Sequence, residues 1–95
     1  MRLIVEEKEA IVEAIAKYDR NAEVYLFGSR TDDGKKGGDI DILVISDKLD
    51  NHSLFFIEEE IFKKIEEQKI DFVLSRRDLN NRFAKMIFKK GVIKL

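Results

Sequence analysis

Residues 24–29 read Val-Tyr-Leu-Phe-Gly-Ser, and residues 38–44 read Gly-Asp-Ile-Asp-Ile-Leu-Val. The first run is β-branched and aromatic and stops at Gly28-Ser29, the pattern of a buried strand that ends in a turn. In the second, Ile40, Ile42 and Val44 alternate with Asp39, Asp41, Leu43 and Ile45, a period of two that predicts a strand whose faces differ over its first half. Asp39 and Asp41 then emerge on one face with Cα atoms ~6 to 7 Å apart. Aspartate is depleted in strands, and two beside Ile40 and Ile42 repel each other in a partly buried setting. A divalent cation between them removes that repulsion.

Working outward, Ile11, Ala14, Ile15 and Tyr18 fall at helical spacing, which predicts a helix from Val5 to about Asp19 with Glu6, Glu7 and Glu9 at its acidic start. A second helical stripe, Leu54, Ile57, Ile61 and Ile65, predicts a helix from about Ser53 to about Gln68, with Glu59/Lys63 and Glu60/Lys64 as i,i+4 pairs outside. Ile70 to Leu74 is a third apolar strand interrupted only by Asp71. Leu79, Phe83, Met86 and Ile87 mark a last helix that Gly91 terminates, and Val92 to Leu95 adds a short strand. The order α-β-loop-β-α-β-α, without repeats or a linker, implies one domain over residues 1–95 of α+β (α/β) class, helices packed on a small sheet. Of the seven phenylalanines, Phe55, Phe56, Phe62, Phe72, Phe83 and Phe88 are expected mostly in core or interface, with one ring of the Phe55-Phe56 pair exposed.

Composition bounds the chemistry. The chain of 95 residues contains no Cys, which excludes disulfides, thiolate metal sites and cysteine nucleophiles, so any metal is held by oxygen or by the single His52. Oxygen donors point to magnesium-type ions. No apolar run reaches membrane-span length and no signal-peptide pattern is present, so a cytoplasmic location is expected. Seven basic side chains against Asp78 give residues 76–95 a charge of +6, while eleven bases against eighteen acids give the rest −7. A basic end on an acidic body suits an anionic ligand or partner near the C-terminus, or simply a solvated helix face.

If the strand of Asp71 lies beside that of Asp39 and Asp41, three carboxylates from two strands can hold two magnesium ions for in-line displacement at phosphorus. Gly28 permits close backbone approach to a phosphate, and Ser29 adds a hydroxyl and an N–H. Competing motifs fail. Five residues separate Gly28 from Gly34 where a P-loop needs four, Asp32-Asp33-Gly34 lacks the alternate oxygen ligands of an EF-hand, and His52 fits a surface or cap-neighbour role.

Leu26-Phe27-Gly28-Ser29-Arg30, Gly38-Asp39-Ile40-Asp41-Ile42-Leu43-Val44 and Ile70-Asp71-Phe72-Val73 together resemble the nucleotidyltransferase superfamily of DNA polymerase β, specifically its minimal nucleotidyltransferase (MNT) branch. The resemblance covers nearly the whole chain, although Gly38 stands where many relatives have Ser. It implies a mixed sheet flanked by helices, with Mg²⁺ and a nucleoside triphosphate held at Gly28, Ser29, Asp39 and Asp41, and Asp71 as third acid. In that scheme Asp39 and Asp41 ligate the metals carrying the triphosphate, Asp71 binds the metal that activates the incoming hydroxyl, and Arg30, Lys35 and Lys36 are placed to neutralise pyrophosphate. Minimal nucleotidyltransferases are commonly encoded beside HEPN proteins, as antitoxin and toxin. The resemblance therefore implies AMP transfer from ATP to a tyrosine hydroxyl of a HEPN ribonuclease, in a hetero-oligomer. A non-catalytic partner-binding module and nucleotidyl transfer to an RNA end are the alternatives.

Overall fold

A computed structural model describes residues 3–28 and 39–95. Helix α1 spans Val5–Tyr18, strand β1 Glu23–Phe27, β2 Ile40–Ile45, α2 Asn51–Ile61, β3 Ile70–Ser75, α3 Arg82–Lys90 and β4 Ile93–Lys94. The four strands form one mixed sheet in the order β3-β2-β1-β4. β1 runs antiparallel to both β2 and β4, and β2 runs parallel to β3 through α2. This α+β architecture is the one expected from the sequence.

The period of two along β2 sorts its side chains onto two layers. Ile40, Ile42 and Val44 join Val24, Leu26 and Ile70 against the buried stripes of α1 (Ala10, Ile11, Ala14, Ile15) and α2 (Leu54, Ile57, Ile61). Leu43 and Ile45 face the other way, with Tyr25, onto Ala84 and Ile87 of α3. Both faces of β2 are therefore covered, which is why it reads as nearly continuous apolar sequence after Asp41.

Local signals set the ends. Glu7 accepts from the Ile4 N–H at 3.2 Å and from Gln68 Nε2 at 2.6 Å, closing the first turn of α1. Asp50 caps α2 by accepting from the Ser53 N–H at 2.8 Å. α2 stops at Ile61, well short of Gln68, and the N–H groups of Lys63 and Lys64 turn to the carbonyls three residues back. Glu58, Glu59 and Glu60 crowd the negative end of the helix dipole, an unfavourable continuation, while Ile65 still reaches the core from the looser turn. Lys63 pairs with Glu60 at 3.1 Å instead of Glu59, and Lys64 crosses to Glu13 of α1 at 2.6 Å, so the expected i,i+4 pairs are replaced by one local and one interhelical contact.

The last helix begins at Arg82 and not at Leu79. Leu79 takes a left-handed φ of 53°, and Asn81 caps the helix by accepting from the N–H groups of Phe83 and Ala84. Phenylalanine burial also differs from expectation. Phe55, Phe56, Phe83 and Phe88 are exposed, and Phe62 and Phe72 only half-buried against the core, because isoleucine, leucine and valine, with Ala10, Ala14, Ala84 and Tyr25, fill most of the space between sheet and helices. Phe55 and Phe56 meet edge to face with ring centres 5.5 Å apart, and His52 stacks on Phe56 at 5.1 Å as a surface residue of the first turn.

Candidate active site

Asp39, Asp41 and Asp71 lie where β1 ends and β2 and β3 begin. Parallel pairing sets Asp41 directly beside Asp71, and antiparallel pairing sets Phe27 beside Asp41 on the other flank. Because Asp41 shares its parity with Leu43, and Asp71 with Val73, both carboxylates lie on the α3 side of the sheet. The register required for Asp71 to join the pair is thus present.

Gly28 follows β1 at φ +78°, a left-handed conformation that costs a side-chain-bearing residue about 1–2 kcal/mol. A Cβ built on it would overlap Asp41 Oδ2 and stand 3.1 Å from Asp41 Cγ. Glycine is therefore needed here on two counts, and the second was not readable from the sequence: the backbone approaches a carboxylate of its own chain as well as any phosphate.

Asp41 is half-buried, and its carboxyl is pushed above the usual carboxylate range first by burial, then by the charges of Asp71 and Asp39, with a side-chain hydrogen bond to Asp71 adding to the effect and Lys69 opposing it. Asp39 is exposed just ahead of β2, where Lys69 Nζ lies 3.5 Å from its Oδ2. Sequence reasoning missed Lys69. It stands two residues before Asp71, and only the parallel register brings it beside Asp39.

Among the described residues no group of three acidic or histidine side chains stands arranged to hold a metal ion. The donor set nevertheless fits one. Asp41 and Asp71 are strand neighbours with Asp39 just ahead, the half-buried Asp41 is disfavoured as an anion by burial and by the other two acids, and Lys69 already supplies partial compensation to Asp39. Hard oxygen donors of this kind suit Mg²⁺, an ion that usually keeps several waters in its shell. Ser29 and Arg30, like Lys35 and Lys36, lie outside the described residues.

Two of the seven cations of residues 76–95 serve the opposite end of the sheet. Arg76 donates to the carbonyls of Ser46 and Leu49 at 3.3 and 3.1 Å, and Arg77 pairs with Glu23 at 3.0 Å and donates to the Asn21 carbonyl. Arg82, Lys85 and Lys89 remain on α3, lining a shallow groove with Met86. A polar depression of about 350 Å³ beside Asn51, Ser75, Arg76 and Asn80 also lies at that far end and contains no acid. No helix among the described residues is long and apolar enough to cross a membrane.

The model of the family described as "Polymerase beta, Nucleotidyltransferase" matches residues 9–93. The crystal structure of a provisionally assigned nucleotidyltransferase is similar over 96% of this chain and 99% of its own, with a TM-score of 0.65 and 24% identity, a likeness that speaks for the fold alone. No curated protein matches the chain.

Proposed function

We propose magnesium-dependent nucleotidyl transfer at this site, from the premise that the chain belongs to the polymerase beta nucleotidyltransferase family. Members of that family generally use divalent metals and nucleotide substrates. The observation that carries the reading is the register: Asp41 and Asp71 are strand neighbours, with Asp39 one step ahead and Gly28 packed on the Asp41 carboxylate.

Asp39, Asp41 and Asp71 would hold two Mg²⁺ ions, which when bound offset charge on the attacking and leaving oxygens. Asp71 takes the proton from the acceptor hydroxyl as that oxygen bonds to the α-phosphorus of ATP. The bond from the α-phosphorus to the bridging oxygen breaks, and pyrophosphate leaves. Gly28 lets the chain pass close to the phosphates, Ser29 and adjoining N–H groups hold the terminal ones, and Arg30 offsets the charge of the leaving group.

The finer reading is a minimal nucleotidyltransferase that moves AMP onto a tyrosine hydroxyl of a HEPN toxin, as the antitoxin of the pair. Two features support an acceptor supplied by another chain. One small sheet leaves little surface to enclose both substrates, and Arg82, Lys85 and Lys89 form an exposed cationic strip that suits an acidic partner surface. The test is transfer of label from α-labelled ATP with Mg²⁺ into a lysate containing the candidate partner, with Asp39→Ala/Asp41→Ala as control. Label on a discrete protein, lost in the control, is the expected result. Label in RNA would replace the acceptor class, and no label despite ATP binding would leave a non-catalytic binding module.

A further inference from the structure

A cavity of about 240 Å³ opens beside the acids, between the end of β1 and the length of α3 from Phe83 to Lys90. Phe83, Met86, Ile87 and Lys90 recur at positions i, i+3, i+4 and i+7 of α3, so one stripe of that helix forms one wall, and Phe27 and Gly28 form the other. Gly28 is the link. Its backbone is part of the cavity wall, and its Cα abuts the Asp41 carboxylate. The wall is apolar except at Lys90, yet Phe83 and Met86 are 52% and 47% exposed, a large apolar area left open to water immediately next to a carboxylate cluster. α3 is fixed behind it by Ile87 in the core and by Phe88, whose ring meets Tyr25 edge-on at 5.1 Å.

We infer that this cavity is the subsite for the base of the nucleoside triphosphate, gripped between Phe83 and Met86 of α3 and the Phe27-Gly28 corner. The inference rests on the nucleotidyl-transfer reading and adds to it the place where the base lies. A ligand that spans both parts must be flat and apolar at one end and strongly anionic at the other, and a nucleoside triphosphate has that form. Aromatic and thioether side chains both make favourable contacts with a π-face, which rewards stacking at Phe83 and Met86 without demanding one base. Lys90 brings a cation to the rim, toward the anionic end of such a ligand.

The experiment is calorimetric titration of the whole chain with two probes in Mg²⁺, ATP and inorganic triphosphate, which differ by the nucleoside. In Phe83→Ala/Met86→Ala, ATP is expected to bind about tenfold more weakly or worse, while triphosphate is unaffected. Phe83→Trp, which keeps a stacking ring, retains ATP affinity. Both residues are exposed, so the melting temperature of these variants stays at the wild-type value. Unchanged ATP affinity in the double variant, or an equal loss for both probes, would overturn the subsite. Asp41→Ala separates this from failure of the underlying reading: it abolishes binding of both probes if the acids hold the phosphates. ATP binding indifferent to Asp41→Ala, or none in the wild type, would sink that reading and the subsite with it.

Discussion

β2 has an aspartate near each end, and their surroundings are opposite. Beyond its last residue, Ser46 donates to Asp19 Oδ2 at 2.6 Å, the Asn21 N–H donates to Oδ1 at 3.0 Å, and the same Ser46 Oγ accepts from the N–H groups of Lys48 and Leu49. Asp19 is held below the usual carboxylate range, first by the Ser46 hydroxyl, despite being only 8% exposed. At the other end Asp41 is pushed up, by burial and by two more acids. A carboxylate whose lone pairs are filled by donors fastens the chain, and one set among its own kind waits for a cation. Under the proposed function the first end serves stability and the second binding, since clustered like charge weakens the fold unless something else uses it.

The contrast is broken most severely at Asp41. Asp41→Asn is expected to lower transferase activity on the order of 10³-fold or more in a label-transfer assay. It should also raise the melting temperature of the metal-free protein by about 2–4 °C, because it deletes a repelled anion. Gly28→Ala comes next. Its Cβ displaces the Asp41 carboxylate, so activity should fall about 100-fold while the fold persists, with a circular dichroism melt as control.

At the fastening end, Asp19→Ala leaves the buried Ser46 hydroxyl without its acceptor and should cost about 2 kcal/mol in urea unfolding, with no change in activity per folded molecule. Its pH dependence has a definite sign. The folded pKa lies below the ordinary 3.8, so the unfolded chain takes up the proton first, and the stabilisation is complete above 3.8 and lost as pH falls through the folded value. The gap between wild type and Asp19→Ala should therefore be full at neutral pH and narrow below 3.8. The smallest effect belongs to Lys64→Met. Its pair with Glu13 at 2.6 Å is exposed on both sides, so the loss should stay under about 0.5 kcal/mol and shrink with added salt.

The elements that lie on the sheet were legible from residue type and period. Ile40, Ile42 and Val44 against Leu43 and Ile45 gave the two-sided burial of β2, and Asp71 in its apolar run marked the strand that came to rest beside it. Readings failed where tertiary contacts choose between local options. Ile65 continues the α2 stripe in sequence yet reaches the core from a turn, and Leu79 has helical spacing but a left-handed backbone. In the site, the acids and Gly28 could be named from their spacing. The Gly28–Asp41 contact, the Lys69–Asp39 pair and the Phe83-Met86 wall depend on which strands neighbour each other and how α3 crosses them, information that no local pattern carries.

The most direct test of the central claim, that Asp39, Asp41 and Asp71 form a cation-demanding cluster, is the melting temperature at neutral pH as Mg²⁺ is added to wild type and to Asp41→Asn. The account predicts that the metal-free wild type melts below the variant, that Mg²⁺ raises the wild type, and that the variant does not respond. A wild type indifferent to both Mg²⁺ and Mn²⁺, or one that melts above Asp41→Asn without metal, would contradict it.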